Sequence, residues 1–175
     1  GDYSPGHLGS MAYCVRRMLD DYPADQLSPG DAIICNDPGI GAGHLPDLYM
    51  MCPVFLDGEL LAFAVNIAHQ IDIGGSGAGS QTITGIQDNF QEGLRFMPTR
   101  AFHKGEPVRD IFRIIESNVR VPEVVGDVRA QYTANMSGAR RIEDLARRYG
   151  SAVLRQAMDQ LIAEGYVVAQ AASGT

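Results

Sequence analysis

The sequence predicts an α+β domain, with an antiparallel sheet that contains a hairpin in its N-terminal half and helices in its C-terminal third. The first observation is an Asp57-Gly58 pair between two apolar runs, which is a strong local signal for a β-hairpin. The second is the helical spacing of apolar residues from residue 108 onwards. Strands that precede helices, rather than alternating with them, are typical of α+β domains.

Local signals predict the first elements. Ser10 is expected to cap a helix that runs to about Tyr22, because apolar residues recur after it at helical spacing. A turn at 27–31 follows, and the short apolar run 32–35 predicts a buried strand. This strand leads into a loop rich in glycine and proline, residues 36–46.

The predicted hairpin pairs residues 48–56 with residues 59–68. Pro53 lies inside the first of these strands, and it predicts either an edge strand or a β-bulge. Residues 73–85 are rich in Gly, Ser and Thr and predict a loop, while residues 102–106 predict a second, smaller turn.

Helices are expected after residue 107. The first covers 108–117, and the second begins at Pro122 and reaches Tyr149. Gly150 and Ser151 suit the end of that helix and the start of a last one. The apolar residues of the last helix share one face: Leu154, Ala157, Met158, Leu161 and Ile162.

The domain organisation follows from these elements. Residues 1–170 are expected to form one α+β domain, with a frayed tail at 171–175. Because the chain opens at Gly1 with turn-like residues and no preceding element, we interpret it as a fragment of a longer subunit.

The composition excludes several classes of protein. The 175 residues include 14 basic and 21 acidic side chains, a net charge of −7, and no block of Lys or Arg, which argues against nucleic acid as the partner. No apolar run is long enough for a membrane helix, so no membrane association is expected. Three cysteines without a C-x-x-C motif predict buried, reduced thiols and a cytoplasmic protein.

Two H-x-x-D units flank the predicted hairpin: His44 with Asp47 before it, and His69 with Asp72 after it. A two-residue turn places residue 47 opposite about residue 68, so the two units meet at the open end of the hairpin. Opposed residues of such a ribbon lie about 5 Å apart. A bulge at Pro53 would shift the pairing by one residue without separating the four side chains.

Two imidazoles with two or three carboxylates form a ligand set for a divalent metal. Asp37 follows the predicted first strand, which can bring it to the same rim. With at most three firm protein ligands, a coordination position stays open for water or substrate, as in catalytic sites. The alternative is a group of surface loop residues that make turn hydrogen bonds; the convergence of two H-x-x-D units favours the metal site.

Two further residues could support chemistry. His7, just before the first helix, could act as a general base or contact the substrate, with a capping or surface histidine as the alternative. Glu92 lies in a segment, Asn89–Arg95, that could close over a substrate, with a helix end that carries surface charges as the alternative. The glycine runs 39–43 and 74–80 lack the context of a phosphate-binding motif, so no nucleotide site is predicted on this chain.

Six stretches, spread over the chain, carry a resemblance to a known family. They are His7–Met11, Asn36–Asp47, Ala68–Gly75, Phe90–Arg95, Asn118–Glu123 and Gly126–Gln131. With these motifs the sequence resembles the hydantoinase B/oxoprolinase family, which includes the B-type subunits of N-methylhydantoinase and related subunits of acetone and acetophenone carboxylases. The family subunit is much longer, so the chain resembles its N-terminal portion.

The resemblance implies a metal and a partner. B-type subunits work with an A-type subunit that binds ATP, and ATP is thought to phosphorylate the substrate carbonyl or enol. A divalent metal is bound in the carboxylase relatives. Its motif is matched most closely by His44, Asp47 and His69, while Asp37 and Asp72 match other motif positions.

The chain also departs from the family pattern. Gly39 stands where the family has an aromatic residue, Ala42-Gly43 where it has Gly-Thr, and Gln70 where it has a second histidine. These departures leave the candidate ligands in place but change the expected pocket wall and substrate size.

We therefore expect the metal-bearing part of an ATP-dependent cyclic-amide hydrolase subunit, of the hydantoin or 5-oxoproline type, acting on a small-molecule substrate. A hetero-oligomer with an A-type subunit is expected. The expected metal is Zn, Mn or Fe, with the ligands Asp37, His44, Asp47 and His69 and proton-transfer residues Asp72, Glu92 and His7. A subunit of a ketone carboxylase is the runner-up. A non-catalytic domain for metal binding and assembly is the alternative from another class.

Overall fold

A computed structural model describes residues 5–79, 85 and 87–161. The helices are α1 (Pro5–Asp21), α2 (Arg109–Asn118), α3 (Glu123–Tyr149) and α4 (151–161). The strands are β1 (Ala32–Cys35), β2 (Asp47–Leu56), β3 (Glu59–His69), β4 (Thr99–His103) and β5 (Glu106–Pro107). Short 3₁₀ helices lie at Ala24–Gln26, Pro38–Ile40 and Asn89–Gln91.

The five strands form one sheet in the order β3-β2-β1-β4-β5, and every neighbouring pair is antiparallel. The predicted α+β class and its hairpin-containing sheet are confirmed. Both predicted turns also occur, between β2 and β3 and between β4 and β5.

Helices cover both faces of the sheet. Alternate residues of β2 point to opposite faces, so Met51 packs with α1, whereas Met50 packs with α2 and α3. The same alternation holds in β1, where Ile33 faces α1 and Ile34 faces the other two helices. This two-sided burial explains why the strands read as nearly continuous apolar runs.

A β-bulge sets the register of the hairpin. Leu56 pairs with Glu59 as predicted for a two-residue turn, but the pairing shifts by one residue between Val54 and Phe55. Leu61 is the extra residue on β3. Beyond the bulge the shifted register continues to the open end of the hairpin, where Asp47 lies directly opposite His69.

The prediction from Pro53 is correct in part. A bulge is present, one residue beyond the proline, but β2 is not an edge strand, since it lies between β1 and β3. The proline is tolerated because the pairing of β1 with β2 stops at Met51. At Pro53 the side of β2 that faces β1 has no ladder to interrupt.

The predicted N-cap at Ser10 is wrong. The helix begins at Pro5, and the Ser10 hydroxyl lies inside it, where it donates to the carbonyl of His7 at 3.1 Å. Proline is favoured in the first turn of a helix, because its missing N–H would have no helical partner there. The helix therefore carries His7 rather than following it.

The C-terminal helices agree with the prediction. Gly150 ends α3 with a φ of +89°, and α4 begins at the next residue. On α4, Leu154 and Met158 are half-buried and Leu161 is exposed. Ile162 and the predicted frayed tail at 171–175 lie outside the described residues.

The three cysteines are buried and free, as predicted. Burial raises the pKa of the Cys52 thiol to about 12. Among the described helices, none is both long and apolar enough to cross a membrane.

Gly75 marks a close contact between the loop after β3 and the segment before β4. Its φ is +72°, and a Cβ there would lie 2.4 Å from the carbonyl oxygen of Gln91 and 2.5 Å from the carbonyl carbon of Glu92. These are backbone atoms, so no side-chain rotation can relieve the contact. We expect Gly75→Ala to lower the free energy of unfolding by about 3 kcal/mol, measured by urea denaturation.

Gly126→Ala is the matched control for this prediction. Gly126 lies inside α3, and nothing is within 4 Å of a Cβ placed on it. Because alanine is the better helix former, the control should raise the free energy of unfolding by up to about 1 kcal/mol. A similar loss of stability in both variants would show that the backbone contact at Gly75 is unimportant.

Candidate metal centre

The hairpin brings together two histidines and an aspartate at its open end. Asp47 is the first residue of β2, His69 is the last residue of β3, and the two are paired. His44 lies in the loop that enters β2. Each residue offers one ligand atom, and these atoms lie within 4.8 Å of one another. Three of the four predicted metal ligands are therefore neighbours.

Asp47 is the buried member of this cluster, with only 3% of the residue exposed. Nε2 of His44 lies 3.4 Å from one of its carboxylate oxygens, and Nε2 of His7 lies 3.4 Å from the other. The rings of His44 and His69 are 4.8 Å apart between centroids. A buried carboxylate is stable only beside positive charge or hydrogen-bond donors, which imidazolium groups or a bound cation can supply.

The donor set fits a divalent metal. Imidazole nitrogens and a carboxylate oxygen suit Zn, Mn and Fe, and three protein ligands leave a coordination position open. The backbone also makes room for the carboxylate, because a Cβ on Gly43 would lie only 2.9 Å from Oδ2 of Asp47.

His7 joins the cluster from the opposite layer. Alternation along the hairpin directs the side chains of Asp47 and His69 to the face that α1 covers, and His7 lies in the first turns of that helix. Tyr49 anchors the helix: its hydroxyl shares a hydrogen bond with Ser10. Burial raises the pKa of Tyr49, so the hydroxyl remains a donor.

The structure places Asp37 outside this cluster. Its carboxylate pairs with the guanidinium of Arg95 and accepts a 2.6 Å hydrogen bond from the N–H of Gly39. Asp37 thereby caps the 3₁₀ helix Pro38–Ile40. Its negative charge is balanced by an arginine of this chain rather than shared with the histidines.

Asp72 is also occupied elsewhere. Its fully buried carboxylate accepts hydrogen bonds from the N–H groups of Gly74, Arg120 and Val121, and the Arg120 guanidinium lies beside it. Burial alone would raise the pKa of this carboxyl, but these hydrogen bonds and the Arg120 charge hold the pKa below its usual range. Asp72 thus ties the loop after β3 to the connection between α2 and α3.

Glu92 holds the loop that carries His44. Its Oε2 accepts a 2.8 Å hydrogen bond from the N–H of Leu45, the next residue. Asn36 binds the other side of the same residue, donating to the Leu45 carbonyl at 2.6 Å. The segment Asn89–Arg95, predicted as either a lid or a helix end, begins as a 3₁₀ helix and continues as a brace against this loop.

Three buried amides support these elements, and the sequence analysis does not identify them: Asn36, Gln131 and Asn135. Asn36 also accepts a 2.6 Å hydrogen bond from the N–H of Phe96. Gln131 and Asn135 lie on the buried face of α3 and donate to carbonyls of β2. A signal for these two was available, because they are amides at positions where the helical spacing calls for apolar residues.

The profile of the hydantoinase B/oxoprolinase family matches residues 1–172. The B-type subunit of a D-/L-hydantoinase from a Pseudomonas species is 36% identical over 90% of this chain and 26% of its own length. A 5-oxoprolinase of Dictyostelium discoideum is 30% identical over 88% of this chain and 12% of its own length. The chain thus spans about a quarter or less of these two relatives.

Solved structures show the same fold. The crystal structure of ATP-dependent caprolactamase from Pseudomonas jessenii superposes with a TM-score of 0.79, at 32% identity, over 90% of this chain and 27% of that one. Nucleotide-free acetone carboxylase gives a TM-score of 0.74 at 23% identity, over 83% of this chain and 19% of that one, which is a likeness of fold alone. By the match over residues 1–172, the chain belongs to the hydantoinase B/oxoprolinase family.

Proposed function

We propose that this chain supplies the metal-binding part of an ATP-dependent hydrolase that opens cyclic amides. The cluster of His44, Asp47 and His69 carries the proposal. Its relatives are named for hydantoin, caprolactam and 5-oxoproline, whose rings all contain an amide bond. The caprolactamase is ATP-dependent, which supports an ATP-binding partner subunit in a hetero-oligomer.

In this proposal His44, Asp47 and His69 hold Zn, Mn or Fe. A divalent metal at these residues would polarise the substrate carbonyl or lower the pKa of a bound water. Asp37, the fourth predicted ligand, is instead proposed to fix the loop through Arg95.

We assign proton transfer to His7 rather than to Asp72 or Glu92. Its ring reaches Asp47, and 36% of its side chain is exposed, so it can exchange protons with solvent or substrate. Asp72 and Glu92 already accept hydrogen bonds from backbone N–H groups, and we propose that both hold the loops around the site.

A cytoplasmic location is part of the proposal. It is supported by the three cysteines, which are buried and free, as is usual for proteins of reducing compartments.

Metal content tests the proposal directly. We expect near-stoichiometric Zn, Mn or Fe by plasma mass spectrometry of the purified protein, and loss of that metal in His44→Ala/His69→Ala. His103→Ala is the control, because His103 pairs with Asp31 outside the cluster. A well-folded wild type without metal, or equal loss in the control, would remove the cluster as a metal site.

Two other functions stay distinguishable. A ketone carboxylase subunit, favoured by the fold of acetone carboxylase, would incorporate bicarbonate when assayed with ATP and a partner subunit, whereas the proposed hydrolase opens a hydantoin or 5-oxoproline ring. A structural metal domain would unfold when a chelator removes the metal and would give neither activity.

A further inference from the structure

One buried amide contacts both strands of the hairpin close to the proposed ligands. Gln131 lies on α3 and is 6% exposed. Its Nε2 donates to the carbonyl of Leu48 in β2 at 2.9 Å and to Oδ1 of Asn66 in β3 at 3.0 Å. Its Oε1 accepts a 3.0 Å hydrogen bond from Nε2 of Gln70.

The partners of Gln131 are sequence neighbours of two ligands. Leu48 follows Asp47, and Gln70 follows His69. Because Asp47 and His69 are paired across the hairpin, Gln131 connects the two backbones beside this pair. It does so from the α3 face of the sheet, while the ligand side chains point to the α1 face.

From this arrangement we infer that Gln131 is a positioning residue for the metal centre. It holds the ends of β2 and β3 at a fixed separation, and with them the carboxylate of Asp47 and the ring of His69. The inference rests on the proposed metal site. Residues that orient ligands without touching the metal typically change its affinity about 10- to 100-fold when removed.

The network is specific because the amide uses its nitrogen and its oxygen on different strands. The backbone carbonyl of Gln131 also accepts a 2.8 Å hydrogen bond from Nδ2 of Asn66, so the helix and β3 are joined twice. Leucine at position 131 would keep the volume and lose all three side-chain hydrogen bonds.

Asn135 provides a matched control on the same helix. It is 5% exposed, and its Nδ2 donates to the carbonyl of Met50 at 3.0 Å, which is the same type of bond to the same strand. Its other partner is the thiol of Cys52. Both partners lie farther along β2 from Asp47, and neither is next to a proposed ligand.

The test compares metal affinity with stability in the full protein. We would measure the dissociation constants of Zn²⁺ and Co²⁺ by chelator competition, the Co²⁺ absorption spectrum, and the melting temperature. Gln131→Leu should weaken both metals by about 10- to 100-fold and alter the Co²⁺ spectrum. Asn135→Leu should lower the melting temperature comparably while changing affinity by less than about twofold.

A second variant keeps the inference testable if Gln131→Leu does not fold. Gln70→Leu removes only the connection to the His69 side, and it should weaken metal binding by a smaller factor with an altered Co²⁺ spectrum. Unchanged affinity in Gln131→Leu or Gln70→Leu, or equal weakening in Asn135→Leu, would overturn the positioning role while the metal site stands. A wild type that binds no metal would overturn both proposals.

Discussion

Replacing Asp47 with asparagine is expected to weaken binding of a divalent metal by more than about 100-fold, beyond the range seen for residues that only orient ligands. The amide keeps the shape of the side chain but not its charge, and this residue is the cluster's only carboxylate. Asp47 is buried, so solvent cannot compensate for the lost charge. Chelator competition with Zn²⁺ measures the effect, and far-UV circular dichroism verifies the fold.

Asp37→Asn is the informative control for this prediction. Sequence motifs place Asp37 and Asp47 in one ligand set, whereas the structure pairs Asp37 with Arg95. We expect Asp37→Asn to reduce stability and to change metal affinity by no more than about threefold, because its contacts lie outside the cluster. Equal losses of affinity in the two variants would restore Asp37 as a ligand and contradict our assignment.

Asp72→Asn is expected to lower the free energy of unfolding by about 3 kcal/mol. The carboxylate accepts from three backbone N–H groups and faces the Arg120 guanidinium, and an amide would turn an NH₂ group toward at least one of these donors. Urea denaturation measures the loss. Asp20→Asn is the control, since its pair with Arg17 is solvent-exposed and should contribute less than about 1 kcal/mol.

The same carboxylate predicts a dependence of stability on pH. Its pKa in the folded protein lies below the unfolded value, which is about 3.9 for aspartate. The stabilisation is therefore complete above the unfolded pKa and is lost as the pH falls through the lower folded pKa. Asp72→Asn should lack this part of the acid dependence. If the variant and the wild type lose stability in parallel below about pH 4, the lowered pKa is not what stabilises the loop.

Local patterns predicted the parts of the fold that depend on neighbouring residues. Asp57-Gly58 identified the hairpin, and counting from that turn brought His44, Asp47 and His69 together before any coordinates were considered. The same counting placed residue 47 opposite about 68 rather than 69, because the bulge at Leu61 has no local signature. Helix ends with glycine, such as Gly150, were also predictable.

Residues that depend on distant partners could not be predicted in this way. Asp72 carries the same H-x-x-D signature as Asp47, and only the approach of Arg120, 48 residues later, determines that it is occupied. Likewise Glu92 acts on Leu45 across 47 residues. A motif records which side chains are chemically able to bind a metal, whereas burial and competing donors decide which of them remain available.

The bulge in β3 determines where the hairpin can vary in length. Leu61 has no partner in β2, so β3 contains one residue more than its neighbour requires. A homologue that lacks one residue here can form a regular hairpin and still place its aspartate opposite its histidine. A deletion in β2 has no such reserve: Ala68 would lie opposite Asp47, so the carboxylate and the ring of His69 would point to opposite faces of the sheet. Deletions should therefore be tolerated during evolution in one strand of this hairpin and eliminated in the other.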